Sequence, residues 1–196
     1  MKLYILRHED RTQDCSFFSP LTLNGLMNSN KLIESMKDLN IELIYTSPFI
    51  RTLQTINPFA KANNISLNIE YGLSEIHHED IIPKKAVGLH LPEYLAENFN
   101  YNTNYKSLIN PDMIHYPERI INVHRRVKRV LRNIFEQNYD KNINIVLVTH
   151  QSLCSSILEI VQKKNKDISD IPIENYEKGK LSLVFDTDKW LYTAIN

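Results

Sequence analysis

Short runs of apolar residues alternate along the chain with longer segments in which apolar residues recur every three or four positions. The short runs predict β-strands, and the longer segments predict amphipathic helices. The predicted strands are Leu3 to Leu6, Ile41 to Tyr45, Leu67 to Glu70 and Ile143 to Thr149, with a weaker pair at Leu181 to Phe185 and Trp190 to Ala194. Strands that alternate with helices are typical of a mostly parallel sheet with helices on both faces.

Capping residues locate the helices between these strands. Thr22 is a candidate N-cap, and Ser47 followed by Pro48 predicts a second helix with serine at the N-cap and proline in the first turn. The predicted helices extend from Thr22 to about Leu39, from Ser47 to about Ala62, from Pro117 to about Ile134, and from about Ser152 to Val161. The predicted fold is therefore an α/β three-layer sandwich.

Residues 76–116 interrupt the alternation of strands and helices. This segment contains three prolines and a polar stretch, and we predict a short helix within it from Pro92 to Asn98. Long connections of this kind are often active-site lids, so we expect one domain over 1–196 with a lid-like insertion. Its aromatic residues either line an apolar pocket or form a small core of their own; they are Tyr94, Phe99, Tyr101, Tyr105 and Tyr116.

Composition excludes several classes of partner. The chain has 196 residues, with 23 basic residues balancing 23 acidic ones, so no overall field favours nucleic acid or an anionic membrane. It has no apolar stretch long enough to cross a bilayer and no leader pattern. Cys15 and Cys154 are too few for a disulfide framework, which predicts a reducing, cytoplasmic location. The oligomeric state is not indicated.

Two histidines stand at the ends of predicted strands. His8 follows Arg7 at the end of the first strand, and His150 directly follows the strand that ends at Thr149. In an α/β sheet the carboxyl ends of parallel strands meet at one edge, where ligands bind. Neighbouring strands lie about 4.8 Å apart, so we expect the two histidines to share one pocket.

Arg51 indicates what this pocket binds. It falls in the first turn of the second predicted helix, where a positive charge opposes the helix dipole and requires an anion nearby. Guanidinium groups match phosphate oxygens and stay charged at all relevant pH values. Arg7, Arg51 and the helix N-terminus together predict a phosphate site.

Four blocks of sequence, in order, make the chain resemble the histidine phosphatase superfamily, which includes the phosphoglycerate mutases. These blocks are Leu6 to His8, Pro20 to Gly25, Ser47 to Thr55 and Val148 to His150. The resemblance implies that His8 is the nucleophile that becomes phosphorylated. It also implies that Arg7, Arg51 and a protonated His150 hold the phosphoryl group, and that Glu75 is the general acid. No metal or other cofactor is expected.

A finer resemblance links the chain to the branch with the suppressor-of-T-cell-signalling and ecdysteroid-phosphate phosphatases. It rests on the residues that follow His8, Glu9 to Arg11, and on the segment from Leu67 to Glu75. In that branch an arginine three positions after the nucleophile touches phosphate, which makes Arg11 a candidate ligand. The implied substrate is a phosphorylated small molecule or a phosphotyrosine-like group.

Two departures from the family keep other functions open. Glu9 replaces the usual glycine after the nucleophile, and Asp14 replaces an asparagine that is common in mutases. Either anion would repel phosphate if its side chain pointed inward. We therefore predict a phosphomonoesterase and retain two alternatives, mutase-type phosphoryl transfer and a catalytically inactive phosphate-binding module. Mutases usually have a longer chain with a C-terminal tail, which favours hydrolysis here.

The run from His77 to Asp80 resembles a metal site superficially. Adjacent histidines cannot easily ligate one ion from a regular element, and no complementary ligands occur at known spacing. We therefore expect no metal site.

Overall fold

The computed structural model describes residues 1–14, 16–84, 90–168 and 171–195, and its main feature is a six-stranded sheet. The strands occur in the order β3-β2-β4-β1-β5-β6. They are β1 (Lys2–Arg7), β2 (Ile41–Thr46), β3 (Leu67–Ile69), β4 (Asn144–Thr149), β5 (Leu181–Asp186) and β6 (Lys189–Ile195). The first four are mutually parallel, and β5 runs antiparallel to both β1 and β6. The predicted mostly parallel sheet is confirmed.

Strands β1 and β4 occupy the centre of the sheet. Their register pairs Lys2 with Asn144 and Arg7 with Thr149, so the two strands end level with each other. The four apolar residues in the middle of each strand are buried. This accounts for their uninterrupted apolar character, because a central strand is covered on both faces.

Helices cover both faces of the sheet. They are α1 (Leu23–Ser35), α2 (Ile50–Ala62), α3 (Glu93–Ala96), α4 (Ile120–Asn138) and α5 (Gln151–Lys164). Side chains alternate across β1, with Leu3 and Ile5 in the core beneath α4 and α5. Tyr4 and Leu6 belong to the opposite core, beneath α1 and α2. The three-layer α/β sandwich is confirmed.

The start of α2 corrects the sequence prediction. Ser47 was expected to be the N-cap, but the helix begins at Ile50, and Phe49 is its N-cap residue without a side-chain bond. The Ser47 hydroxyl lies 2.8 Å from His150 Nε2, where it serves the site instead. The other predicted cap is confirmed, because the Thr22 side chain accepts a hydrogen bond from Gly25 N.

The segment 76–116 is irregular apart from α3 and a single 3₁₀ turn at Pro111–Met113, as far as the described part of it extends. Residues 85–89 of the predicted insertion lie outside the described residues. Three of its five aromatic side chains join the main cores. Phe99 and Tyr101 pack against the core beneath α1 and α2, and Tyr105 packs against the other. Tyr94 is exposed.

No helix in the described ranges is long and apolar enough to cross a membrane.

The N-terminus of α1 is tied closely to the loop that follows β1. Thr22 N donates to the carbonyl of Asp10, and the Thr22 hydroxyl donates to Asp10 Oδ2 at 2.9 Å. A Cβ at Gly25 would lie 2.2 Å from the same Asp10 carbonyl oxygen. The close approach of helix and loop therefore requires glycine at position 25.

We predict that Gly25→Ala destabilises the protein, although alanine is the better helix former. Overpacking costs about 1–3 kcal/mol, which exceeds the gain in helix propensity of about 1 kcal/mol. The measurement is the free energy of unfolding from urea titration. The control is Asn24→Ala, at the exposed preceding position of the same helix, which we expect to be neutral or slightly stabilising. A Gly25→Ala variant as stable as the parent would contradict the packing argument.

Candidate active site

The ends of β1 and β4 bring the two predicted histidines together. His8 N donates to the Thr149 carbonyl at 2.9 Å, which continues the strand pairing by one residue. The ring centroids of His8 and His150 are 5.2 Å apart, with the planes inclined at 64°. Both side chains are buried. The site therefore rests on rigid backbone pairing at the predicted edge of the sheet.

Hydrogen bonding assigns the tautomer of His8. Its Nδ1 lies 2.7 Å from the carbonyl oxygen of Glu9, which can only accept, so Nδ1 carries the proton. The lone pair of Nε2 is then available for attack. Burial, and secondarily the charge of Arg51, hold the pKa of His8 well below its usual range. The imidazole is therefore neutral, which is the form a nucleophile requires.

His150 is oriented by Ser47. The Ser47 hydroxyl accepts a hydrogen bond from Phe49 N and lies 2.8 Å from His150 Nε2. Nδ1 of His150 lies 4.0 Å from Glu75 Oε2 and has no hydrogen-bond partner among the described residues. Burial first, and then Arg51, lower the pKa of His150 well below its ordinary value. These effects favour the neutral form of His150.

Two arginines lie beside these histidines. Arg7 Nη1 donates to Gln151 Oε1 at 2.7 Å and to the carbonyl of Tyr176 at 2.5 Å. Its buried Nε has no hydrogen-bond partner in the ranges that the structure describes. Arg51 is the second residue of α2, donates to the Ser16 carbonyl at 2.8 Å, and lies 4.5 Å from the centre of the Phe49 ring. Both guanidinium groups are thus held in place before any ligand arrives.

A cavity of about 340 Å³ connects these groups. Five of the six predicted site residues line it, namely Arg7, His8, Arg11, Arg51 and Glu75, while His150 lies behind its wall. Lys178 also lines the cavity and is paired with Asp10 at 2.5 Å. Four basic side chains face one carboxylate here. The cavity is therefore suited to a small, multiply charged anion.

Glu75 is held by a support that sequence reasoning missed. Arg126, on α4, forms a two-pronged ion pair with Glu118 through its Nε and Nη2, at 2.9 Å each. Its Nη1 also donates to the Gly72 carbonyl at 2.8 Å, and Nη2 donates to the Glu75 carbonyl at 3.3 Å. The segment 72–75 is therefore fixed to α4 by one buried guanidinium.

The departure at Glu9 is accommodated away from the phosphate cavity. The Glu9 carboxylate lines a separate cavity of about 240 Å³ and accepts a hydrogen bond from Asn28 at 3.4 Å. Gly179, with φ of 69°, lies against it, and a Cβ there would be 2.1 Å from Glu9 Oε1. Burial raises the pKa of the Glu9 carboxyl. The Glu9 side chain does not line the cavity around His8.

Asp14 also lies outside the cavity. Its carboxylate accepts a hydrogen bond from the Thr12 hydroxyl at 2.5 Å, and this bond lowers its pKa. Gln13, not Asp14, lines the cavity. Cys15 lies outside the described residues. Cys154 is a buried free thiol whose pKa is raised by burial.

Other contributors carried no sequence signal, or a misleading one. Ser47 was predicted as a helix cap, although it stands in one of the four family blocks. Gln151 and Tyr176 hold Arg7, and the loop with Tyr176 follows no recognisable pattern. Across the described residues, no three His, Cys, Asp or Glu side chains converge as metal ligands. His78 pairs with Asp80 at 3.1 Å, while His77 is buried beside Phe49.

Comparison with protein families identifies this arrangement. The model of the histidine phosphatase superfamily (branch 1) matches residues 6–196. The mouse (Mus musculus) ubiquitin-associated and SH3 domain-containing protein B is 26% identical over 146 residues. This match covers 68% of the chain but 22% of the mouse protein, so the chain spans about a fifth of that relative.

Solved structures agree on the fold. The ecdysone phosphate phosphatase from Bombix mori, in complex with tungstate, superimposes with a TM-score of 0.71 at 15% identity, covering 100% of this chain and 92% of that one. The alpha-ribazole phosphatase from Shigella flexneri gives a TM-score of 0.63 at 20% identity, with coverage of 100% and 96%. The predicted superfamily and fold class are confirmed.

The buried histidines make stability depend on pH. Burial, and then the charge of Arg126, lower the pKa of His77 to about 4, and the pKa values of His8 and His150 are lowered as well. In the unfolded chain each histidine titrates near pH 6.5. As pH falls below 6.5 the unfolded state gains protons that the folded state does not bind. The stabilisation present above pH 6.5 is therefore lost toward pH 4.

We predict that His77→Phe makes this loss of stability less steep. The variant removes one titrating group, so the slope of unfolding free energy against pH should fall by about 1.4 kcal/mol per pH unit. The measurement is urea unfolding at half-unit steps from pH 7 to pH 5. Asn24→Ala, which removes no titrating group, is the control and should keep the parental slope. Equal slopes for the parent and His77→Phe would show that His77 does not titrate as described.

Proposed function

This chain belongs to branch 1 of the histidine phosphatase superfamily, and we propose that it hydrolyses phosphate monoesters through a covalent phosphohistidine at His8. The observation that carries the proposal is the orientation of His8. Its Nδ1 proton is committed to the Glu9 carbonyl, which leaves Nε2 as a neutral nucleophile in a residue that lines the basic cavity. Attack by such a nitrogen divides one difficult displacement into two easier steps.

In the first step, Nε2 of His8 forms a bond to phosphorus as the bond from phosphorus to the ester oxygen breaks. Charge is spread over the three equatorial oxygens, which Arg7 and Arg51 are positioned to stabilise. The ester oxygen leaves with the electron pair and takes a proton from the Glu75 carboxyl group. The products of this step are phosphohistidine, the free alcohol and the Glu75 carboxylate.

In the second step, water attacks the phosphohistidine. The Glu75 carboxylate accepts a proton from the water as the new phosphorus–oxygen bond forms and the phosphorus–nitrogen bond breaks. Inorganic phosphate is released, and His8 and Glu75 return to their starting protonation states. The hold of Arg126 on the 72–75 segment supports this dual role, because the carboxyl group must stay in place through both steps.

His150 and Arg11 complete the proposed phosphoryl site. Burial, and then the charge of Arg51, lower the pKa of His150, and a bound phosphate dianion would offset the second of these effects. A protonated His150 would then donate a hydrogen bond to a phosphoryl oxygen. Arg11 lines the same cavity and donates to the Thr12 carbonyl at 2.6 Å, and its place in the cavity wall supports a role as a further phosphate ligand.

The proposed substrate is a phosphorylated small molecule or a phosphotyrosine-like group. The names of two relatives with the same fold, an ecdysone phosphate phosphatase and an alpha-ribazole phosphatase, support small phosphate esters as a class. The cavity of about 340 Å³ can hold the phosphoryl group and part of its alcohol. The scarcity of cysteine supports a reducing compartment such as the cytoplasm.

We predict that His8→Ala abolishes hydrolysis of p-nitrophenyl phosphate, because no covalent intermediate can form. The measurement is release of p-nitrophenol from pH 4.5 to 8. His78→Ala removes a histidine that does not line the cavity and should keep parental activity. Equal rates for the parent and His8→Ala, or no activity in either, would favour the phosphate-binding module. If phosphorus NMR with 3-phosphoglycerate and its bisphosphate shows isomerisation outpacing hydrolysis, the protein is a mutase.

We also predict that the effect of Glu75→Gln depends on the leaving group. General acid catalysis contributes about 10²–10⁴-fold when the leaving oxygen needs a proton, and little when it leaves easily. The value of kcat/KM should therefore fall far more for an alkyl phosphate than for p-nitrophenyl phosphate. Glu79→Gln, at an exposed carboxylate nearby, is the control for both substrates. An equal loss of kcat/KM for the two substrates would remove Glu75 from the role of acid.

A further inference from the structure

A second cavity lies beside α4. It is lined in part by Arg126, which also holds the 72–75 segment that carries Glu75. Its volume is about 430 Å³, larger than that of the pocket around His8. The residues that line the two cavities do not overlap within the described parts of the chain. This cavity plays no part in the proposed reaction.

One wall of the α4 cavity is apolar. Leu108, Ile109 and Ile114 form it, and the exposed side chain of Met113 extends it toward solvent. Met113 keeps 69% of its surface exposed. An apolar group entering the cavity would cover this surface.

The opposite wall is basic. Arg125 and Arg129 lie one helical turn apart on α4 and both line the cavity, together with His115. Arg125 has one long hydrogen bond, to Asn122 Oδ1 at 3.3 Å, and Arg129 has no polar partner in the described part of the chain. Helix α4 as a whole carries five basic residues and one acidic residue. Arg125 and Arg129 are therefore available to an external anion.

The acidic residue in the cavity does not oppose such an anion. Both carboxylate oxygens of Glu118 accept hydrogen bonds from Arg126, and Oε2 also accepts one from His77 N. The charge of Glu118 is thus neutralised at the base of the cavity. Arg126 in turn is occupied by Glu118 and by two backbone carbonyls, so the ligand-binding charge comes from Arg125 and Arg129.

We propose that the α4 cavity is a second ligand site, which binds a small amphipathic anion with an apolar body and a carboxylate, sulfonate or phosphate head. The head lies between Arg125 and Arg129, and the body lies against Met113 and Ile114. Pockets of this volume with one apolar wall and a few polar groups are typical of small-molecule sites.

The proposed ligand site is coupled through Arg126 and Glu118 to the 72–75 segment, which carries Glu75. Arg126 and Glu118 line the cavity, and the same Arg126 holds the carbonyls of Gly72 and Glu75. A ligand that shifts this ion pair changes the position of Glu75, and linkage makes the effect reciprocal. This regulatory part rests on the proposed function, whereas binding itself does not.

The test uses 1-anilinonaphthalene-8-sulfonate, whose fluorescence rises in apolar sites, titrated into the full chain at constant ionic strength. We expect saturable binding of one probe per chain. In the double variant Arg125→Glu/Arg129→Glu the Kd should rise at least about tenfold, which corresponds to about 1.4 kcal/mol. Met113→Gln should also weaken binding.

The matched control is Lys128→Glu/Arg132→Glu, which changes the net charge equally at exposed positions of α4 that do not line the cavity. We expect its Kd to be close to that of the parent, and circular dichroism verifies that both double variants are folded. Equal weakening in the two double variants would overturn the site. Binding at the site without any change in kcat/KM for an alkyl phosphate would overturn the coupling to Glu75, while leaving the test of binding independent of phosphatase activity.

Discussion

The parallel pairing of β1 with β4 is the constraint on which the site depends. Their register ends both strands at the same level, and the bond from His8 N to the Thr149 carbonyl extends the pairing to the histidines themselves. Because both strands are buried on two faces, a shift of register would move apolar side chains out of both cores. The 5.2 Å separation of the two rings is therefore fixed by the hydrophobic core and not by loop conformation.

The buried positions of the two histidines affect their protonation. Burial disfavours the protonated forms of His8 and His150, and the charge of Arg51 acts in the same direction. The guanidinium groups are stabilised by backbone carbonyls of Ser16 and Tyr176 and by an aromatic face. A phosphate dianion would supply the missing negative charge. These contacts hold the guanidinium groups in place, and groups held in this way need little reorganisation to stabilise an anion.

The fold and the convergence of the main candidate site residues could be predicted because their signals are local. Strand ends at Arg7 and Thr149, the cap at Thr22 and the arginine in the first turn of α2 are all visible within a few residues of sequence. The roles of Ser47 and of Arg126 could not be predicted, because their partners lie 103 and up to 54 residues away. Local capping rules assigned the Ser47 hydroxyl to the helix, whereas the tertiary contact with His150 also engages it.

Glu9 departs from the family pattern, but its side chain does not enter the cavity around His8. A side chain at this position would be expected to interfere with phosphate, yet it turns toward Asn28 and occupies space that exists because residue 179 is glycine. The backbone at Gly179 donates to the carbonyls of Arg7 and His8, so the same loop both receives Glu9 and supports the strand end. Asp14 likewise bonds within its own loop. Glu9 and Asp14 therefore no longer favour an inactive binding module, because neither carboxylate lines the cavity around His8.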